Sequence, residues 1–209
     1  MTRTWKGPLV LAALVCASSP ALAARTFCDA FRPQAKPDWA NQRGNWRSGQ
    51  KQYDATNPAN NPVTYTDLST YPALNDFTVW VNVNNLNDGG VWLRSNYNGG
   101  AVNGVLLVTG GVFGTFNGFY WHVFQNGVAS PQLNPVTVPG IQGTNVSLKI
   151  VVHKSTYKLY MAGSTTPLTT LTDPTFSSGS VGLYDFSPNS GAATPRGETF
   201  SNFCFSVTK

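Results

Sequence analysis

The chain predicts an all-β fold in a single domain, and three observations carry that reading. Charged residues make up only 11% of the 209, whereas Gly, Asn, Thr, Ser and aromatic residues are abundant. That mixture suits strands and turns and supports helices poorly. Apolar and polar residues alternate with period two in several segments, the signature of half-buried strands. Clusters of Gly, Pro and Asn separate these segments at short intervals, as in antiparallel sandwiches and barrels.

The first 23 residues read as an export signal, with Arg3 and Lys6 as a basic start, an apolar run over 9–15 and Ala21-Leu22-Ala23 as the cleavage site. The domain then spans 24–209 of a secreted or periplasmic protein. The apolar run is far shorter than the ~20 residues that cross a bilayer, and no later segment is long enough. Cys16 lies inside the signal behind Leu14-Val15, not behind the small residue a lipoprotein signal wants. Cys28 and Cys204 remain, in the similar settings Phe27-Cys28-Asp29-Ala30-Phe31 and Phe203-Cys204-Phe205. In an exported protein such a pair reads as a disulfide, which requires the first and last strands to be neighbours; two buried thiols are the alternative.

Residues 57–62, rich in Asn and Pro, read as an exposed loop. In the strand at 77–83, Phe77, Val79, Val81 and Val83 share a face, with Thr78, Trp80 and Asn82 opposite. A Gly-Gly turn after Asp88 opens a strand in which Val91 and Leu93 point one way, Trp92 and Arg94 the other. Asn98-Gly-Gly100 and Gly110-Gly111 bound a strand at 105–109. The strand at 119–124 sends Phe119, Trp121 and Val123 inward and Tyr120 and His122 outward. Leu148, Ile150 and Val152 oppose Lys149, Val151 and His153. Strands at 156–161, 181–184 and 199–207 and a loop at 188–195 complete the chain. Asn145-Val-Ser147 is a formal glycosylation sequon.

The formal charge of +5 loses Arg3 and Lys6 with the signal, and the remaining basic residues form no run. Nucleic acid is therefore not an expected partner.

Three patches carry a resemblance: residues 27–31 as Phe-x-Asp-x-Phe, residues 88–94 as a Gly-Ile-Phe-Leu-Arg-type strand, and residues 179–184 followed by Phe200-Ser-Asn-Phe203. Together they are similar to the concanavalin A-like lectin and glucanase superfamily in its laminin-G-like form. Within it the chain most resembles domains of unknown function linked to 3-keto-disaccharide hydrolases. The resemblance covers nearly the whole mature chain. It implies a single-domain antiparallel β-sandwich, a jelly roll of two curved sheets, with ligands held on the concave one. If 77–83 and 90–94 form a hairpin in that sheet, the candidate binding face is Trp80, Trp92, Arg94, Tyr120, His122 and Tyr184. Relatives often hold a structural calcium, for which Asp29 is the natural ligand here. The closing motif Phe200-Ser201-Asn202 lacks the Asp usual in those relatives.

Such a face suits a sugar, because an indole or phenol meets the C–H face of a pyranose while Arg, His and Asn bond its hydroxyls. The expected partner is thus a polysaccharide or other glycan, with Trp92 and Arg94 central. A glycosidase needs two carboxyl groups flanking the scissile bond, and the sequence shows no such pair: Glu198 is the only Glu and stands alone. A lyase using Tyr120 or His122 as base with Arg94 against a uronate is the enzymatic alternative. A structural or adhesive envelope protein is the third reading. Two histidines, His122 and His153, are too few and too far apart for zinc, and no other cofactor is expected.

Overall fold

The computed structural model describes residues 25–112, 115–186 and 197–208. The predicted export signal and the loop at 188–195 lie outside these residues. The described residues form strands β1 (Thr26–Asp29), β2 (Trp39–Arg43), β3 (Trp46–Gly49), β4 (Gln52–Ala55), β5 (Tyr65–Leu68), β6 (Phe77–Asn84), β7 (Asp88–Asn98) and β8 (Ala101–Gly110). They continue with β9 (Gly118–Gln125), β10 (Val128–Ala129), β11 (Leu133–Thr137), β12 (Val146–His153), β13 (Thr156–Met161), β14 (Thr169–Thr172), β15 (Ser180–Asp185) and β16 (Thr199–Val207). Sheet A runs β14-β13-β12-β6-β16-β4-β3, with β1 also on β16; sheet B runs β10-β9-β8-β7-β15-β5-β2, with β11 also on β9. The two sheets form a sandwich.

Strand alternation builds the core. Phe77, Val79, Val81 and Val83 of β6 and Leu148, Ile150 and Val152 of β12 face Val91 and Leu93 of β7, Val105 and Leu107 of β8, and Phe119 and Trp121 of β9. Each such side chain contributes about 1.5–3 kcal/mol on burial. At one end the rings of Phe31 and Tyr53 stack at 4.8 Å, and Trp39 meets Phe203 edge-on at 5.0 Å.

Cys28 lies opposite Cys204 in the β1–β16 ladder and is bonded to it. The first and last strands are thus neighbours, as the disulfide requires. Next to this bond, Asp29 Oδ1 accepts from the Phe31 N–H (2.7 Å), and Oδ2 accepts from Lys36 N–H (2.7 Å) and Trp39 Nε1–H (3.0 Å). A calcium ion wants oxygen ligands, whereas this carboxylate is ringed by N–H groups that would repel it. The surroundings of Asp29 do not fit the ion, and Asp29 acts as an anchor for the turn after β1.

Three expectations are corrected. Segments 77–83 and 90–94 form no hairpin: β6 lies in sheet A and β7 in sheet B. Asp88, Gly89 and Gly90 belong to β7, not to a turn before it. Gly is required there because a Cβ at Gly89 would strike the Glu198 carboxyl, and one at Gly90 the Leu107 carbonyl. Finally, β7 does not alternate to its end. Its ladder with β8 shifts register between Leu93 and Asn96, and Arg94 at the shift has φ 48°. That bulge turns Arg94 away from the face of Trp92.

Candidate functional site

The outer face of sheet B is built from register rows that can be followed residue by residue. One row runs His122 (β9), Leu106 (β8), Trp92 (β7), Gly182 (β15) and Asp67 (β5). The next runs Tyr120, Val108, Gly90 and Tyr184. At Gly90 the missing side chain leaves room into which Leu106 of β8 leans, and at Gly182 it lets the backbone of β5 come close. Trp92, Tyr120, Phe124, Tyr184, Leu106 and Val108 form a second apolar cluster on this face, separate from the core.

Over the second row opens a depression of about 330 Å³. Leu106 and Val108 line its floor, Tyr120, Phe124 and Tyr184 contribute ring surface, and Asp88, His122 and Asn60 bring polar groups. The Tyr184 hydroxyl reaches Asn60 Oδ1 at 3.5 Å, and Tyr120 packs edge-on against Phe116 at 5.4 Å and His122 at 5.2 Å. Burial, reinforced by the charge of Asp88, pushes the Tyr120 phenol up to about 12, against an opposing hydrogen bond from Gln132. Burial likewise holds Tyr184 well above the usual phenol range. Both hydroxyls therefore keep their protons at neutral pH and can donate. Burial lowers the proton affinity of His122, although hydrogen bonds to the Ser130 and Pro131 carbonyls act the other way. Its Nδ1 lies 2.7 Å from Ser130 O, so the neutral ring donates there and leaves Nε2 as an acceptor.

Of the six predicted residues, the structure brings Tyr120, His122 and Tyr184 together around this depression. Trp92 lies on the same sheet face but is fully covered, with Tyr65 edge-on at 5.7 Å and Phe124 at 4.9 Å. It supports the floor and offers no platform. Arg94 is 2% exposed and points to the margin of the sandwich. There its Nε and Nη2 donate to Asn75 O (3.0 and 2.7 Å) and its Nη1 to Phe176 O (2.8 Å), with Asp76 at 3.4 Å. Its guanidinium also lies 5.4 Å from the Tyr157 ring. Trp80 stands on the outer face of sheet A, across the whole sandwich from the others.

The residues missed were Asp88, Phe124 and Asn60. Asp88 shares its parity with Gly90 and Trp92, so extending the alternation back through the glycines would have found it. Phe124 follows from the parity of Tyr120 and His122. Asn60 sits on a loop, where no periodicity points.

The acidic residues nearby divide by face. Asp185 Oδ2 accepts from Ala55 N (3.0 Å) inside the sandwich, and Glu198, fully buried, accepts from Asn87 N (2.7 Å) and Thr109 Oγ1. Burial pushes the Glu198 carboxyl well above its ordinary range. Both tie strands together from within, while Asp88 lines the depression.

No protein-family model matches the sequence, and no curated protein is similar enough to it to be matched. Solved structures do match. The carbohydrate-binding module CBM66 from Bacillus subtilis aligns over 82% of this chain and 92% of its own at 17% identity, with a TM-score of 0.57. The exoplasmic/lumenal domain of VIP36 in its Ca2+/Man3GlcNAc-bound form aligns over 86% of each chain at 10% identity, with a TM-score of 0.54. The fold is the concanavalin A-like jelly roll. The β-glucanase of Bacillus licheniformis shares the same jelly roll, over 88% of this chain and 98% of that one, at 12% identity and a TM-score of 0.51. At such identities the jelly-roll likeness concerns architecture, and function rests on the site.

Proposed function

We propose that this protein is a secreted carbohydrate-binding domain that holds a glycan in the depression on the outer face of sheet B. The observation that carries the reading is the make-up of that depression: about 330 Å³, within the roughly 300–1,000 Å³ of ligand clefts. Apolar ring and aliphatic surface forms its base, and phenol, imidazole, carboxylate and amide groups converge on it. A pyranose has matching chemistry, with a C–H face for Leu106, Val108 and the rings and hydroxyls for Asp88, Asn60, His122, Tyr120 and Tyr184. Neighbours of the same fold that are named as carbohydrate-binding or glycan-bound support it. The Cys28–Cys204 disulfide that links the ends fits an oxidising compartment outside the cytosol.

The test is calorimetric binding of the mature chain to a panel of neutral and charged polysaccharides, with reducing-end release followed in parallel. Tyr184→Ala and His122→Ala are each expected to weaken binding of the panel's best ligand by about tenfold, or ~1.4 kcal/mol, the scale of one lost hydrogen bond with its packing. Full affinity in both variants, with their fold verified, would remove the depression as the site.

A further inference from the structure

Sheet A carries a second surface that the depression does not explain. Across its outer face one register row runs Tyr160 (β13), Lys149 (β12), Trp80 (β6), Cys204 (β16) and Cys28 (β1). Trp80 stands in the middle of the sheet and is 41% exposed, whereas Trp39, Trp46, Trp92 and Trp121 are each at most 8% exposed. There the indole presents an open aromatic surface in the middle of the face, and it is its grouping with a second ring and a cation that points to a ligand. Lys149 Nζ lies 5.5 Å from the centre of the Tyr160 ring, on the side away from Trp80. Beside Trp80 runs a groove of about 240 Å³, in which Lys149, Asn82 and Ser147 present polar groups.

The exposed charge on the middle of this face is positive, since Asp54 of β4, toward the β3 edge of the sheet, is fully buried and paired with Arg47 at 3.1 Å. β6, β12, β13, β14 and β16 contain no Asp or Glu, and Asp29, the single acidic residue of β1, is buried. Lys158 lies one row along from Lys149, on the same side of β13 as Tyr160. Asp76 stands at the far end of the face, already bonded to His153 at 2.7 Å and to Arg94. Two aromatic rings, separated by one strand and therefore by ~10 Å, bracket a cation among Ser, Thr and Asn side chains.

We propose that this face is a second binding surface and that its ligand is a linear anionic polysaccharide, bearing carboxylate or sulfate groups. The rings take the C–H faces of successive sugars, Lys149 and Lys158 meet the acid groups, and Asn82 and Ser147 bond hydroxyls. An open sheet face receives an extended chain, where the depression on sheet B encloses a short segment.

Because Trp80 is the exposed tryptophan among the described residues, it supplies the acrylamide-accessible share of the emission, and that share reports the site. The mature chain is titrated with oligogalacturonate and with dextran sulfate, with a neutral xylo-oligosaccharide as comparison. Binding of an anionic probe is expected to shift emission to the blue, protect against acrylamide quenching and weaken by about tenfold between low and moderate salt. By calorimetry, Trp80→Ala and Lys149→Ala are each expected to lose about tenfold in affinity. Lys149→Arg retains binding, and Lys51→Ala, which removes a charge from the β3–β4 turn, leaves it unchanged. The proposal is overturned if neither anionic probe binds, if Trp80→Ala binds as tightly as the parent, or if the neutral probe binds equally well.

Discussion

Trp80 and Trp92 occupy equivalent places, each pointing outward from the centre of its sheet, yet one is 41% exposed and the other fully covered. The strand pattern is the same around both. The difference lies in what surrounds them: Trp80 stands among Lys, Ser, Thr and Asn side chains, while Trp92 lies beneath Tyr65, Phe124 and Val102. Alternation thus determines the face of a residue and leaves its exposure to residues far away in the chain. The two outer faces part accordingly, sheet A remaining a plain polar surface and sheet B gaining a second apolar layer.

The largest test of that contrast is truncation. Trp92→Ala is expected to destabilise the domain by about 3–5 kcal/mol, as for other buried aromatics, read as a lowered denaturation midpoint. Trp92→Phe is expected to cost about 1 kcal/mol, since among the described residues Trp92 Nε1 has no hydrogen-bond partner to lose. Trp80→Ala is expected to change stability by less than about 0.5 kcal/mol. Equal costs at the two positions would abolish the distinction.

Next comes the bulge. Arg94→Ala is expected to cost about 3 kcal/mol, because the carbonyls of Asn75 and Phe176 lose a charged donor and the left-handed backbone loses its anchor. Arg94→Lys restores only part, since one ammonium cannot span both carbonyls. Glycan binding at the depression is expected to persist in any Arg94 variant that stays folded, and its selective loss would return Arg94 to the site.

A smaller effect separates the faces by pH. Native His122 holds its proton less readily than an unfolded chain, whose histidine titrates near 6.5. The unfolded state therefore takes up the proton first as acid is added. This contribution to stability is complete above the ordinary histidine value and declines as pH falls below it, down to the native value. Urea midpoints measured from neutral pH downward are expected to fall less steeply in His122→Gln than in the parent. An unchanged slope would mean that the imidazole is not held neutral by its surroundings.

Much of the architecture was legible because burial imposes period two on any strand with one face in a core. β6, β9 and β12 were found that way, and with them the inward and outward sets of β9, while β8, β13, β15 and β16 were found as runs bounded by Gly, Pro and Asn clusters. β2 to β5 were not found: Trp-Ala-Asn-Gln-Arg, Trp-Arg-Ser-Gly, Gln-Tyr-Asp-Ala and Tyr-Thr-Asp-Leu are too short and mixed to show a period. Their place comes from neighbours in the sheet. Of the residues around the proposed depression, Tyr120, His122 and Tyr184 were legible in the sequence, whereas Trp80, Trp92 and Arg94 do not line it. Assigning Trp80 required knowing which sheet β6 joins, and assigning Arg94 required a bulge that no local residue announces.

The Cys28–Cys204 bond also decides how the domain answers a mechanical load. A force applied at Arg25 and Thr208 enters through β1 and β16 and within a few residues meets a covalent link spanning 176 positions of sequence. Tension then passes from end to end across that link, and the chain between, with both sheets and both outer faces, stays slack. Pulled by its ends, the domain yields only those few residues of extension while the bond is intact, and it becomes an extensible tether only after reduction.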